Sequence, residues 1–367
     1  MVPAGAVDES RPVRDEDAVD VAAVVWWLRG QGGQGGQGGP GVPAGEPEVR
    51  QFPGGASNLT YLLTWPDREL ILRRPPAGAK ARGAHDMTRE YLIQRALGPV
   101  YPYVAGMVGL CRDESVIGSD FYLMERVDGT ILRRDLTFEL TASSASLLCE
   151  RAWQALVRLH EVDVSGVPEL AALGRGAGYV ARQVAGWTER LGRAVTDDLG
   201  DWSDLTSWFD AHQPADLGQC LIHNDWRFDN LVLDPADLHV VGVLDWEMAT
   251  VGDPLMDLGG ALAYWVQADD DAFFRDFRRQ PTTAPGMWTR LEVVRWYCER
   301  RGFEMTPERW RFYEAFGLFR LAVIIQQIWY RFCHGQTHNP AYAGFGAAVG
   351  YLEQRTRRVL SEGGAAA

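Results

Sequence analysis

In the first third of the chain, apolar positions come in short runs with strand spacing. Glu48-Val49-Arg50-Gln51 and Leu59-Thr60-Tyr61-Leu62-Leu63-Thr64-Trp65 flank the small-residue stretch Phe52-Pro53-Gly54-Gly55-Ala56-Ser57-Asn58. That order reads as strand, tight turn, strand. After Asp67, Leu70-Ile71-Leu72 predicts a third strand, which Pro75 ends. Asp86 is placed to cap a helix over residues 89–97, with Leu92, Ala96 and Leu97 sharing a face and Glu90 in the first turn. Phe121-Tyr122-Leu123-Met124 predicts another strand, running through Glu125, Arg126 and Val127 into the turn at Asp128-Gly129.

Beyond residue 140 the spacing becomes helical. Residues 143–160 carry Leu147, Leu148, Ala152, Ala155, Leu156 and Leu159 at helical intervals. Residues 177–191, 289–301 and the aromatic-rich 307–332 read the same way, as does an N-terminal helix over 17–28 with Val21, Val24, Val25 and Leu28 on one side. One interruption stands out. Leu231-Val232-Leu233 and Val240-Val241-Gly242-Val243-Leu244 are short apolar runs around a turn signal, Asp234-Pro235-Ala236-Asp237. If they pair as an antiparallel hairpin, the start of the first lies beside the end of the second. Leu321-Ala322-Val323-Ile324-Ile325 is too short to span a membrane and precedes Gln326-Gln327, so it reads as part of a buried helix.

This ordering divides the chain into an N-terminal helix (1–30), a flexible Gly/Gln-rich insert (31–46), a strand-rich lobe (47–127), a helical lobe (128–360) and a disordered tail (361–367). The glycines of the insert repeat with period three and lack a following helix with a lysine, so a phosphate-binding role is not assigned to them. With 367 residues, 46% hydrophobic, the chain is long enough for one large or two moderate cores. A net charge of −13 argues against a nucleic-acid partner and is compatible with a cationic substrate. The five cysteines are odd in number and lack zinc spacing, and the N-terminus lacks a secretory pattern; both point to a cytoplasmic protein with reduced thiols and no membrane segment.

The candidate chemistry lies around the interruption. His223-Asn224-Asp225-Trp226-Arg227-Phe228-Asp229-Asn230 precedes the first short run, and Asp245 closes the second. In a hairpin, Asn230 and Asp245 share one edge, with Asp225 on the loop just before it. An amide oxygen and a carboxylate are hard ligands suited to Mg²⁺, and Asp225 remains to take a proton from an attacking hydroxyl. Upstream, glycines at Gly54 and Gly55 allow close backbone approach, so the turn N–H groups could cover ATP phosphates, with Ala56, Ser57 and Asn58 completing the loop.

The pattern His-x-Asp-x4-Asn followed by Asp resembles the aminoglycoside phosphotransferase superfamily of small-molecule kinases, which are related in fold to protein kinases. The resemblance implies an α+β, protein-kinase-like two-lobed fold: a small antiparallel-sheet N-lobe and a mainly helical C-lobe. It implies ATP and Mg²⁺ as cofactors, with Asp225 as catalytic base and Asn230 and Asp245 as metal ligands. It places Arg73 where protein kinases carry the strand lysine, with Arg74 the alternative, and Glu90 as its ordering partner. It makes the backbone near Glu125 to Val127 the adenine-binding hinge, with Met124 either a gate or core. Asp257 is implied to brace the catalytic loop. Asp253 reads as a helix cap, His160 as structural, and His223 as a support of the loop backbone. Asn224 stands where the family usually has glycine, a position that asks for a left-handed backbone.

The set Gly-Gly-Ala-Ser-Asn, Leu-Arg-Arg-Pro-Pro and Gly-Asp-Pro-Leu-Met-Asp-Leu looks most like the branch that includes kinase-like domains fused to acyl-CoA dehydrogenases. That branch implies a small-molecule hydroxyl acceptor of the hydroxyacyl-CoA type. The alternatives are an antibiotic kinase acting on aminoglycosides or macrolides, and a nucleotide-binding pseudokinase. A protein kinase is disfavoured, because Asp-Phe-Gly and Ala-Pro-Glu are missing. Tryptophans including Trp187, Trp202, Trp208, Trp265, Trp288, Trp296, Trp310 and Trp329 are read either as core or as the lining of a hydrophobic acceptor site.

Overall fold

Alternating apolar positions build a six-stranded antiparallel sheet in the computed structural model, which describes residues 10–31, 43–52, 58–76 and 86–362. The strands are β1 (Arg11–Pro12), β2 (Glu48–Gln51), β3 (Leu59–Trp65), β4 (Arg68–Arg74), β5 (Met107–Cys111) and β6 (Phe121–Glu125), in the order β1-β2-β3-β4-β6-β5. Two helices join them: α1 (Val21–Gln31) and α2 (Met87–Leu97). Successive side chains of a strand point to opposite faces. On β3 and β4, therefore, Tyr61, Leu63, Leu70 and Leu72 pack with Val24, Val25 and Leu28 of α1. Leu62 and Ile71 pack on the other face with Met87, Tyr91, Tyr122 and Met124, which makes Met124 part of that core.

The same alternation separates the two arginines at the end of β4. Arg74 donates to the Tyr61 hydroxyl at 2.9 Å and to the Asp17 carbonyl at 2.8 Å. Arg73 turns the other way, to α2. α1 starts later than the expected residue 17. Asp20 caps it, accepting from the Ala23 N–H. Asp17 instead lies in a short 3₁₀ turn, with its buried carboxylate accepting from Gln51 at 2.8 Å and from Arg14. A carboxylate so engaged serves tertiary structure better than an interior helix position.

The sheet belongs to a compact unit made of residues Met1–Ile131 and Asn230–Met248. The second stretch supplies the hairpin β8 (Leu231–Leu233) and β9 (Val240–Val243), with Leu231 opposite Val243 and a bulge after Val232. Thr130 bridges to Leu233, and a Cβ on Gly129 would lie 2.6 Å from the Leu233 carbonyl oxygen, so only glycine permits this approach.

The second unit, Leu132–Asp229 with Ala249–Ala367, is helical. Its main helices are α3 (Ala142–His160), the short α4 (Pro168–Ala171), α5 (Tyr179–Gly192), α6 (Ser203–His212), α7 (Pro254–Leu262), α8 (Ala272–Phe277), α9 (Arg290–Arg301), α10 (Pro307–Cys333) and α11 (Phe345–Glu362). A two-stranded ribbon pairs β7 (Cys220–Ile222) with β10 (Thr250–Gly252). Caps set several boundaries: Thr141 starts α3, a Thr289–Glu292 capping box starts α9, and Thr306 starts α10. Helices α7 and α10 cross at glycine, where a Cβ on Gly317 would sit 2.2 Å from the Gly259 carbonyl oxygen. Among the described residues no helix is long and apolar enough to cross a membrane, and all five cysteines are free.

Candidate active site

In the sheet unit, charges from distant parts of the chain meet at Arg73. Its guanidinium donates to Glu90 Oε1 at 2.7 Å and to Asp245 Oδ1 at 3.2 Å. Glu90 reaches it from the first turn of α2, whose start is fixed by Asp86 accepting from the Arg89 N–H. Burial works against the charge on Arg73, but Glu90, Tyr122 and Asp245 outweigh it and hold its pKa well above the ordinary value.

Asn230 is buried, and its carbonyl accepts from the Leu244 N–H at 2.8 Å. Asn230 and Asp245 thus share one end of the hairpin, as the sequence reading required. Asp245 has φ +64°, a left-handed backbone that a non-glycine residue adopts at a cost. The turn carrying it is anchored on three sides. Trp246 is fully buried against Tyr101, Asn58 donates to Glu247 Oε2 at 3.1 Å, and Arg89 donates to the Glu247 carbonyl at 2.5 Å. The roles of Arg89 and Glu247 were not legible from motif spacing.

Gly54, Gly55, Ala56 and Ser57 lie outside the described residues; Asn58 is described and buried. Glu125 accepts from Arg68 at 2.5 Å, and its N–H donates to the Gly106 carbonyl. Val127 packs against Gly242 of β9, where a Cβ would lie 2.8 Å from its Cγ1.

In the helical unit, the loop after β7 is held by one carboxylate. Asp257 Oδ2 accepts from the His223 N–H at 2.8 Å and Oδ1 from the Asn224 N–H at 2.7 Å. His160 Nε2 lies 3.1 Å from the same carboxylate, and His160 Nδ1 lies 2.5 Å from the Tyr297 hydroxyl. Burial pushes Asp257 up, but the His160 hydrogen bond and the neighbouring histidines outweigh it, so its carboxyl lies below the ordinary range. Asp257 sits one turn into α7 because Pro254 opens that helix and Asp253 caps it, accepting from the Leu255, Met256 and Leu217 N–H groups. Asp253 is therefore a cap, and His160 is structural. Asn224 has φ +66°, the left-handed backbone expected of it. The His223 ring accepts from the Asp225 N–H at 3.2 Å, which is the anticipated backbone support.

Three partners of this loop were missed in the sequence. Arg320 of α10 donates to the Asn224 carbonyl at 2.7 Å. Gln280 accepts from the Phe228 N–H at 2.8 Å and donates to the Tyr264 carbonyl at 3.2 Å. Arg227 lies 3.1 Å from Asp225 Oδ2 and 3.4 Å from Asp229 Oδ2, with its guanidinium 4.9 Å over the Tyr264 ring. Burial raises the pKa of Asp229, partly offset by Arg227. Arg227 also lines an apolar cavity of about 160 Å³. None of the tryptophans considered as acceptor-site residues lines that cavity. Trp187, Trp202, Trp265 and Trp310 are buried core.

The donor set is one of hard oxygens and fixed cations. Asn230 and Asp245 offer hard oxygens of the kind Mg²⁺ takes, whereas Asp234, Asp237 and His239 are engaged in the hairpin turn through the Ala236 and His239 N–H groups.

The sequence profile of the phosphotransferase enzyme family (APH) matches residues 48–294. The chain belongs to this family. It is therefore a phosphotransferase acting on hydroxyl groups, with a protein-kinase-like α+β fold. The phosphotransferase is 35% identical over 331 residues to acyl-CoA dehydrogenase family member 10 of Mus musculus, covering 90% of this chain and 30% of that protein. It thus spans less than a third of that relative's length. A crystal structure from Ralstonia eutropha, provisionally described as an aminoglycoside phosphotransferase, matches with a TM-score of 0.77 at 30% identity, covering 94% of this chain and 99% of the other. The GDP complex of aminoglycoside 2'-phosphotransferase-IIIa shares the fold at 15% identity, with a TM-score of 0.57 over 86% of this chain and 94% of that one.

Proposed function

We propose that this phosphotransferase moves the γ-phosphate of Mg·ATP to an alcohol of a small molecule, with Asp225 as base. The acceptor O–H gives its proton to Asp225, the oxygen bonds to the γ-phosphorus, and the bond to the β,γ-bridging oxygen breaks to release ADP. Asn230 and Asp245 would hold Mg²⁺, which when bound neutralises charge on the phosphates. Arg73, ordered by Glu90, would grip the triphosphate, since a guanidinium can hold phosphate oxygens in two places. The loop from Gly54 to Asn58 would cover the phosphates, and the backbone from Glu125 to Val127 would meet the base.

The observation that carries this reading is the buried Arg73 joined at once to Glu90 and Asp245, across 17 and 172 residues of sequence. A guanidinium held by both the helix glutamate and the hairpin aspartate, unlike the structurally engaged Arg74, supports a triphosphate grip at this end of the sheet. A GDP complex in the neighbouring fold supports a nucleotide as donor. By analogy with the acyl-CoA dehydrogenase relative, the acceptor is of the hydroxyacyl-CoA type; the free thiols support a cytoplasmic enzyme. The likeness to a provisionally described aminoglycoside phosphotransferase keeps antibiotic alcohols as the second reading.

ADP release should be measured with Mg·ATP and Mg·GTP against hydroxyacyl-CoAs, aminoglycosides, macrolides and amino alcohols. Acceptor-dependent release that is lost in Asp225→Ala is expected. Release that survives this substitution would sink the base assignment, and nucleotide binding without release on any acceptor would favour a pseudokinase.

A further inference from the structure

We infer that the apolar cavity of the helical unit receives the aliphatic end of the acceptor, and that its depth sets the chain length the enzyme takes. The inference rests on Asp225 being the base.

Helix α10 is buried at most core positions from Trp310 to Val323, but Ile324, Ile325 and Ile328 are only half buried. All three line the cavity, together with Phe273 and Phe277 of α8 and Leu352 of α11. Phe277 and the three isoleucines are half buried and Phe273 is exposed, so apolar surface around the void is left to water, and an apolar ligand would cover it. An apolar cavity of about 150 Å³ takes a benzene-sized group, so about 160 Å³ here holds about six carbons.

The position of the cavity ties it to the chemistry. Arg227 lines it, and the same guanidinium is ion-paired with Asp225 at 3.1 Å. An acceptor whose hydroxyl meets Asp225 therefore has, beside Arg227, room for carbons of the same molecule. The charged groups lining the cavity select further. They are Arg227 and Arg279, with no carboxylate among them. A polycationic aminoglycoside entering the cavity would meet Arg227 and Arg279, while the carboxylates nearest to it, Asp225 and Asp229, are already paired with Arg227. A chain ending in a neutral or anionic acyl group meets no such penalty.

The test uses the full chain and two linear series of CoA thioesters of increasing length. Alkanoyl-CoAs without a hydroxyl report binding by calorimetry, and hydroxyacyl-CoAs report ADP release. Binding should tighten about fourfold per methylene over about six carbons and then level off. Ile325→Trp fills the cavity and should move the optimum to shorter chains. Ile324→Ala opens it and should move the optimum to longer ones. Both side chains are half exposed, and wild-type thermal midpoints would exclude misfolding. ADP release with no chain-length dependence, unmoved by either substitution, overturns the cavity assignment and leaves Asp225 standing. Chain-length-dependent binding that both variants shift, without ADP release, supports the cavity and overturns the base instead.

Discussion

The two units hold their functional groups by different means. In the sheet unit, Arg73 is fixed by two carboxylates, Glu90 and Asp245, so charge orders charge. In the helical unit, Asp257 fixes the backbone N–H groups of His223 and Asn224, so a buried acceptor orders main chain. The distinction matters because the two arrangements fail differently. A carboxyl that loses its cation can take up a proton and become neutral, whereas a buried backbone N–H has no such escape. A grip on a mobile nucleotide tolerates the first kind of bond, and a loop that must hold one side chain in place needs the second.

The largest expected effect tests what the second arrangement supports. Asp225→Ala should lower kcat by about a thousandfold or more while leaving nucleotide affinity, measured by calorimetry, close to wild type. Next comes the acceptor itself. Asp257→Ala strands two N–H groups and His160, and chemical denaturation should show a loss of about 3–5 kcal/mol. A loss under about 1 kcal/mol would erase the contrast between the units.

Arg73→Met should raise the nucleotide KM about ten- to hundredfold, the worth of one or two charge-assisted hydrogen bonds. Arg74→Met is its neighbour control. It should cost about 1–2 kcal/mol of stability, because Tyr61 and the Asp17 carbonyl lose a donor, with nucleotide KM unchanged. If the two variants exchange phenotypes, the strand register has been assigned to the wrong face.

The smallest effect is in pH. The folded pKa of Asp257 lies below its ordinary 3.8, so its contribution to stability is present above that value and is lost as pH falls through the folded pKa. Glu90 behaves in the opposite sense. Burial pushes its pKa above the ordinary 4.5 even against the charge of Arg73, and removing that charge raises it further, so Arg73→Met should be relatively most stable below that value and lose stability as pH rises. Denaturation midpoints of wild type and Arg73→Met from about pH 4 to about pH 8 should therefore diverge towards the alkaline end. Parallel curves would mean that Glu90 finds another partner.

Much of this was legible before any coordinates. The apolar runs at 231–233 and 240–244 carry their own turn, so the pairing of Leu231 with Val243, and with it the adjacency of Asn230 and Asp245, follows from local pattern. Asp86, Thr289 and Pro254 mark helix starts by chemistry that acts within one turn. Other features left no such mark. Gln280 meets Phe228 across 52 residues, and Arg320 meets Asn224 across 96; a single glutamine or arginine in a helical region has no periodic signature. Tryptophans were open to reading either as core or as acceptor lining, but no tryptophan lines the cavity, whose phenylalanines and isoleucines are brought together by the packing of α8, α10 and α11. Asp17 looked like a helix residue until its bonds to Gln51 and Arg14 outweighed local propensity.

The sequence by itself determined the family, the order of the elements and the residues proposed for phosphoryl transfer, because spacing within a loop, strand or helix turn is set by bonds between near neighbours. Only the tertiary structure decided that Arg73 rather than Arg74 meets Glu90, that Asp245 takes a left-handed backbone, and that a cavity opens beside Arg227. These depend on which faces of separate elements meet. The free energy of such meetings lies in burial and in contacts between residues far apart in the chain, where sequence spacing carries no information.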